Sequence, residues 1–168
     1  MDTSTISIII ASVALVIALI TFILFNQQRK PPPAQENTSE NRHLQLQAYE
    51  RLVVLTERIA LPNLISRAKQ PGLSARDMQI VLLENIKQEF EYNTSQQIYV
   101  SPVAWQAVKN LKEQNMLIIN QVGAALPPEA SGTDLNKILL DVLMNQPKGE
   151  LHNIVLEALN FEARKLMK

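Results

Sequence analysis

The sequence predicts an all-α protein: an N-terminal transmembrane helix, a flexible linker and a cytoplasmic bundle of about five helices. Three observations carry this. Residues 6–25 form an apolar stretch without a charge. From about Leu44 onward, apolar residues recur every three to four positions, the helical period, and no run alternates as a half-buried strand does. The prolines at 62, 71, 102, 127, 128 and 147 and the glycines at 72, 123, 132 and 149 fall between these stretches, as helix punctuation does.

The apolar stretch reads ISIIIASVALVIALITFILF, with only Ser7, Ser12 and Thr21 polar. As a helix it would extend about 30 Å, the thickness of a hydrocarbon core. A cleaved signal peptide would carry a basic n-region, a shorter apolar core and a small-residue cleavage site, none of which is present. Arg29 and Lys30 follow the stretch, whereas Asp2 is the one charged side chain before it. The positive-inside rule therefore predicts residues 1–5 outside and the bulk of the chain in the cytoplasm. The small-residue pairs Ser7/Ala11 and Ala14/Ala18 would allow close helix–helix approach.

Residues 26–43 read as a linker: Pro31, Pro32 and Pro33 favour an extended spacer, and the polar residues after them show no apolar period. The helical domain then occupies 44–168. Its first helix, about 44–60, has Tyr49, Leu52, Val53, Ile59 and Ala60 on one face, broadened by Leu44, Ala48 and Leu55. Residues 62–72 read as a connection. The second helix begins at the Ser74–Asp77 capping pattern and runs to about Glu91, with Met78, Val81, Leu82, Ile86 and Phe90 inward. Residues 92–100 fit either a helical continuation or a connector. Ser101 and Pro102 start a third helix to about Val122, buried through Ala104, Val108, Leu111, Ile118 and Val122. Thr133 is a candidate cap for a fourth helix, 134–145, with Leu135, Ile138, Leu139 and Val142 inward. The fifth, about 150–167, presents Leu151, Ile154, Val155, Ala158, Phe161 and Leu166. No internal repeat is evident.

Composition narrows function by exclusion. The 168 residues carry 16 Lys+Arg against 16 Asp+Glu and no Cys. Zero net charge argues against a nucleic-acid partner gripped through many phosphates. Without Cys there is no thiolate metal site or thiol nucleophile. No P-loop, GxGxxG or HExxH motif occurs, so no metal, cofactor or catalytic residue is assigned. His43 and His152 read as surface or partly satisfied imidazoles. Glu50 and Glu57 read as a solvated face pairing with Arg51 and Arg58, and Arg67, Lys69 and Arg76 as a basic loop.

The stretch Glu89–Trp105 concentrates aromatic, amide and hydroxyl side chains. It suits an irregular connection that satisfies its own backbone. It also offers a recognition surface at Tyr92, Gln96, Gln97 and Tyr99. The expected function is a non-enzymatic interaction protein that binds an unknown protein partner or itself and meets the lipid bilayer through residues 6–25. The alternative is an enzyme or small-ligand domain with a bundle pocket lined by Tyr49, Glu89 and Trp105.

LQLQAYERLVVLTERI, NLISR with QPG, LLENIKQEFEYNTSQQIYVS and AWQAVKNLKE, behind an N-terminal span, resemble a family of small single-span membrane proteins of Bacteroidetes-type bacteria, a domain of unknown function. The resemblance runs from Ile6 to the last helix and is most specific at Gln47–Arg51 and Glu89–Ser101. Where the family tends to carry His, this chain has Tyr92. The resemblance implies a bacterial inner-membrane location with a cytoplasmic helical domain, and it supplies no catalytic residues.

Overall fold

The computed structural model describes Thr21 and residues 35–68, 70–145 and 151–167. The predicted span 6–25 lies outside these except for Thr21. Among the described residues no helix is long and apolar enough to cross a membrane. The chain divides into two units, Met1–Asn41 and Arg42–Lys168, and the second holds the core.

Among the described residues the elements are all helical: α1 Gln35–Ile59, α2 Leu61–Ala68, α3 Ala75–Tyr92, a 3₁₀ turn Thr94–Ile98, α4 Pro102–Ala125, α5 Gly132–Met144 and α6 Leu151–Leu166. The helix predicted from residue 44 begins at Gln35, inside the expected linker. Its first turns are polar but contain good helix formers, and His43 and Gln47 meet across one turn at 2.9 Å. The expected connection 62–72 contains α2. Pro62 sits at that helix's first turn, where a missing N–H costs little.

Pro62 leaves work to be done at the end of α1. It has no N–H to donate to the carbonyl four residues earlier, that of Arg58. The carbonyls there are met by side chains instead. Asn63 donates to Glu57 O at 2.9 Å, Arg67 to Arg58 O at 2.8 Å and Asn115 to Ile59 O at 2.8 Å. The Asn115 bond is buried and ties α4 to the end of α1. It explains a polar residue in the middle of the α4 stripe.

The starts of α3 and α5 lie side by side. Ser74 caps α3 by accepting from Asp77 N, and Ser131 forms a reciprocal capping box with Asp134. Ser131's hydroxyl and backbone N–H hold the Asp134 carboxyl below its usual range. The cap of α5 is thus Ser131, not Thr133, because only Ser131 has Asp three positions on. An isolated antiparallel bridge pairs Ser74 with Ser131, through Gly132 N to Leu73 O at 2.8 Å and Ala75 N to Ala130 O at 2.9 Å. Two helix–loop–helix units, α2–α3 and the end of α4 with α5, therefore pair through their loops.

This pairing exposes a repeat that the sequence reading did not find. Pro71, Ser74, Asp77, Met78, Gln79 and Leu82 recur in the same spacing as Pro128, Ser131, Asp134, Leu135, Asn136 and Leu139. Gln79 and Asn136, its counterpart, are both buried.

The core takes Leu52, Leu55 and Ile59 from α1, Leu82 and Ile86 from α3, Leu111 and Ile119 from α4, and Leu135 and Leu139 from α5. Ile119 is fully buried, whereas the predicted Ile118 is only partly so. Leu44 and Ile138, also expected inward, are exposed. The largest revision falls on α6. Val155 and Leu159 are its buried residues, while Ile154 and Phe161, both predicted inward, face solvent.

α3 and α4 approach closely at Gly123. A Cβ there would lie 2.7 Å from Gln79 Cδ and 2.8 Å from its Oε1. That carboxamide is fixed by Asn120 at 2.8 Å and Arg76 at 2.9 Å. Ala at a helical glycine would gain about 1 kcal/mol of propensity, but overpacking costs about 1–3 kcal/mol. Gly123→Ala is expected to lower the thermal midpoint. In a Gln79→Ala background the same change is expected to raise it. A double-mutant cycle of melting curves reads that reversal.

Candidate interaction surface

The end of α1 sets the geometry of this surface. Because Arg67 reaches back to Arg58 O, its guanidinium is held beside α3, where Nη1 lies 3.4 Å from Glu89 Oε1. Arg58 Nε approaches the same oxygen at 2.8 Å. Glu89 is thus a largely buried carboxylate shared by two half-exposed arginines.

One turn further along α3, Tyr92 is 75% exposed, with the Arg51 guanidinium 5.3 Å from its ring centroid. Glu50, Arg51, Val54, Arg58, Glu89, Tyr92 and Asn93 line an open cleft of about 280 Å³. Val54 adds an exposed apolar side chain between the arginines.

Beyond Tyr92 the chain turns by a 3₁₀ segment, which settles the two options left for residues 92–100. Asn93 donates to Glu89 O and Thr94 to Phe90 O, so the polar residues here close the end of α3. Of the four predicted surface residues, Tyr92, Gln97 and Tyr99 are exposed. Gln96 is not. It is buried within the turn, with its amide on Ser95 Oγ at 3.2 Å. A five-residue 3₁₀ segment has three residues per turn, which brings one of the two adjacent glutamines inward. Ile98 and Val103, 74% and 72% exposed, extend the apolar character of this end and were not foreseen.

Tyr49, Glu89 and Trp105, expected to line a pocket, each have different partners. Tyr49 is buried and donates its hydroxyl to Glu162 Oε2 at 2.5 Å, while Ser101 N–H donates to the Tyr49 oxygen at 3.1 Å. Burial, then the bond to Glu162, pushes the Tyr49 phenol above its usual range. Burial pushes the Glu162 carboxyl up, but hydrogen bonds from Ser101 and Tyr49, with Lys165 nearby, outweigh it and hold the carboxyl below its ordinary value. Trp105 packs on Phe90 with ring centroids 5.0 Å apart, and Lys112 lies over the other aromatic partner, Phe90, at 4.6 Å.

A separate cavity of about 120 Å³ lies at the α1–α2 junction, lined by residues including Leu61, Leu111, Asn115, Leu143 and His152. Its size suits a few waters. Helix–loop–helix pairs can hold Ca²⁺ when their loops alternate oxygen ligands. Here the paired loops use Ser74, Asp77, Ser131 and Asp134 as helix caps. Among the described residues no group of three or more His, Asp or Glu side chains could hold a metal ion.

The sequence matches a family of unknown function, DUF7935, over residues 2–166. The chain belongs to this family. No curated protein and no solved structure matches it. The match takes in residues 6–25 together with the helical domain, so the two are parts of one family unit. The family brings no activity with it, and the functional argument rests on the geometry above.

The arginines are what sequence reasoning missed. Arg51 and Arg58 stand two turns apart on α1, a spacing readable from the sequence. Arg67 joins them only because it caps α1, and nothing local in NLISRA announces that contact.

Proposed function

We propose that this family member is a membrane-anchored interaction protein. Residues 6–25 anchor it in a bacterial inner membrane with the N-terminus outside. The cytoplasmic helical domain binds a protein partner through the surface around Tyr92, Gln97, Ile98 and Tyr99. One observation carries the recognition surface: between Tyr92 and Val103 three large apolar or aromatic side chains, Tyr92, Ile98 and Val103, are about three-quarters exposed. Exposed aromatic and apolar side chains grouped in this way mark binding surfaces. The anchor is supported by the uncharged 20-residue apolar stretch and the bases that follow it.

The test is site-specific photo-crosslinking of the full-length chain in native membranes. A crosslinker replacing Tyr99 is expected to give a discrete adduct that Ile98→Asp abolishes, while one replacing Asn153 on α6 gives none. Equal adducts from both positions, or adducts indifferent to Ile98→Asp, would overturn the surface. A reporter fused after Lys168 should be active in the cytoplasm. Periplasmic activity would overturn the orientation.

A further inference from the structure

We infer that the cleft between α1 and α3 recognises an extended acidic segment of the partner, with carboxylates four residues apart and an apolar side chain midway between them. This rests on the interaction reading above and adds the chemistry of what is bound.

The cleft has surplus positive charge with open hydrogen-bonding capacity. Arg51 meets the Tyr92 ring and, among the described residues, has no ion-pair partner. Arg58 meets Glu89 through Nε, its side chain is half exposed, and among the described residues neither terminal nitrogen has a hydrogen-bond partner. Arg67 shares the same Glu89 oxygen. Around the cleft stand three guanidiniums against the carboxylates of Glu89 and Glu50. Glu89 acts as a positioning residue: it is largely buried, and its charge is already divided between two arginines.

Spacing selects the ligand. Arg51 and Arg58 are two helical turns apart, about 10 Å along α1 at 1.5 Å per residue. A single phosphate or carboxylate ion does not bridge that gap. Carboxylates four residues apart on an extended chain share one face about 13 Å apart, within reach of the long arginine side chains, and the residue midway faces the same way. Between the two arginines lie Val54 and the Tyr92 ring, an apolar floor for the intervening side chain. Bidentate guanidinium–carboxylate bonds would fix the register of the segment. The cleft is open, so its ion pairs should be salt-sensitive.

The experiment uses full-length protein in neutral detergent and a fluorescein-labelled peptide built on Glu-Ser-Leu-Ser-Glu, with Lys-Ser-Leu-Ser-Lys as the charge-reversed probe. Anisotropy should show binding of the acidic probe only, weakened about tenfold or more by Arg51→Glu and by raising salt from about 0.05 to about 0.3 M. Arg51 is exposed and lies over the Tyr92 ring, so its variant should melt as the parent does. Tyr92→Ala supplies a second variant, expected to weaken binding without changing its salt dependence. The proposal is overturned if the two probes bind equally, if Arg51→Glu binds as the parent does, or if inorganic phosphate or anionic lipid vesicles displace the acidic probe from the cleft. A persisting Tyr99 crosslink with no acidic-probe binding would sink this inference alone. Loss of the crosslink with intact probe binding would sink the wider surface.

Discussion

Leu159→Ala is expected to lower the unfolding free energy by about 2–5 kcal/mol, whereas Phe161→Ala should change it by no more than about 0.5 kcal/mol. Leu159 is fully buried and Phe161 is 62% exposed, with Lys165 over its ring at 4.2 Å. Chemical-denaturation midpoints of the two variants read the rotation of α6 directly. A larger loss from Phe161→Ala would show that the helix packs on its other face. The rotation is not fixed by pattern, because the apolar stripe of α6 is wide: Ile154, Val155, Leu156, Leu159 and Phe161 offer two alternative faces. Polar contacts with α1 choose between them. Glu162 receives the Tyr49 hydroxyl, and His152 Nε2 lies 3.7 Å from Glu57. With residues 152 and 162 turned toward α1, Val155 and Leu159 enter the core and Phe161 turns out.

Tyr49→Phe is expected to destabilise the domain by about 1–3 kcal/mol at neutral pH, because it leaves a part-buried carboxylate one donor short and the Ser101 N–H without its acceptor. The pH dependence follows from the directions of the two shifts. Glu162 has a lowered folded value, so its contribution is present above the unfolded carboxylate range and is lost as pH falls through the lowered value. Tyr49 has a raised folded value, so its contribution is complete below the ordinary phenol range and is lost as pH rises through the raised value. The gap between parent and variant should therefore hold through neutral pH and narrow in acid. Urea midpoints at pH 7 and pH 3 measure it. A gap that widens in acid would show that Glu162 is not charged in the folded state.

Much of this protein was readable in the chain. Helical class, the Ser74 and Ser101 starts and the inward positions of Met78, Leu82 and Ile86 came from short-range rules, because capping and helical periodicity are decided within a few residues. The exposed Tyr92 and Tyr99 were legible for a similar reason, standing among residues that favour turns. Other features depend on partners distant in sequence. Asn115 is buried because Pro62 leaves α1 with carbonyls to satisfy, and Arg67 reaches Glu89 because it serves another of them. The paired caps at Ser74 and Ser131 became a repeat only when a backbone bridge set them side by side. The sequence by itself determined the helical class and, at Ser74 and Ser101, where helices start. Tertiary structure alone decided how each helix is rotated and which polar groups meet, since a stripe wider than one face leaves rotation open until hydrogen bonds from neighbouring helices choose it.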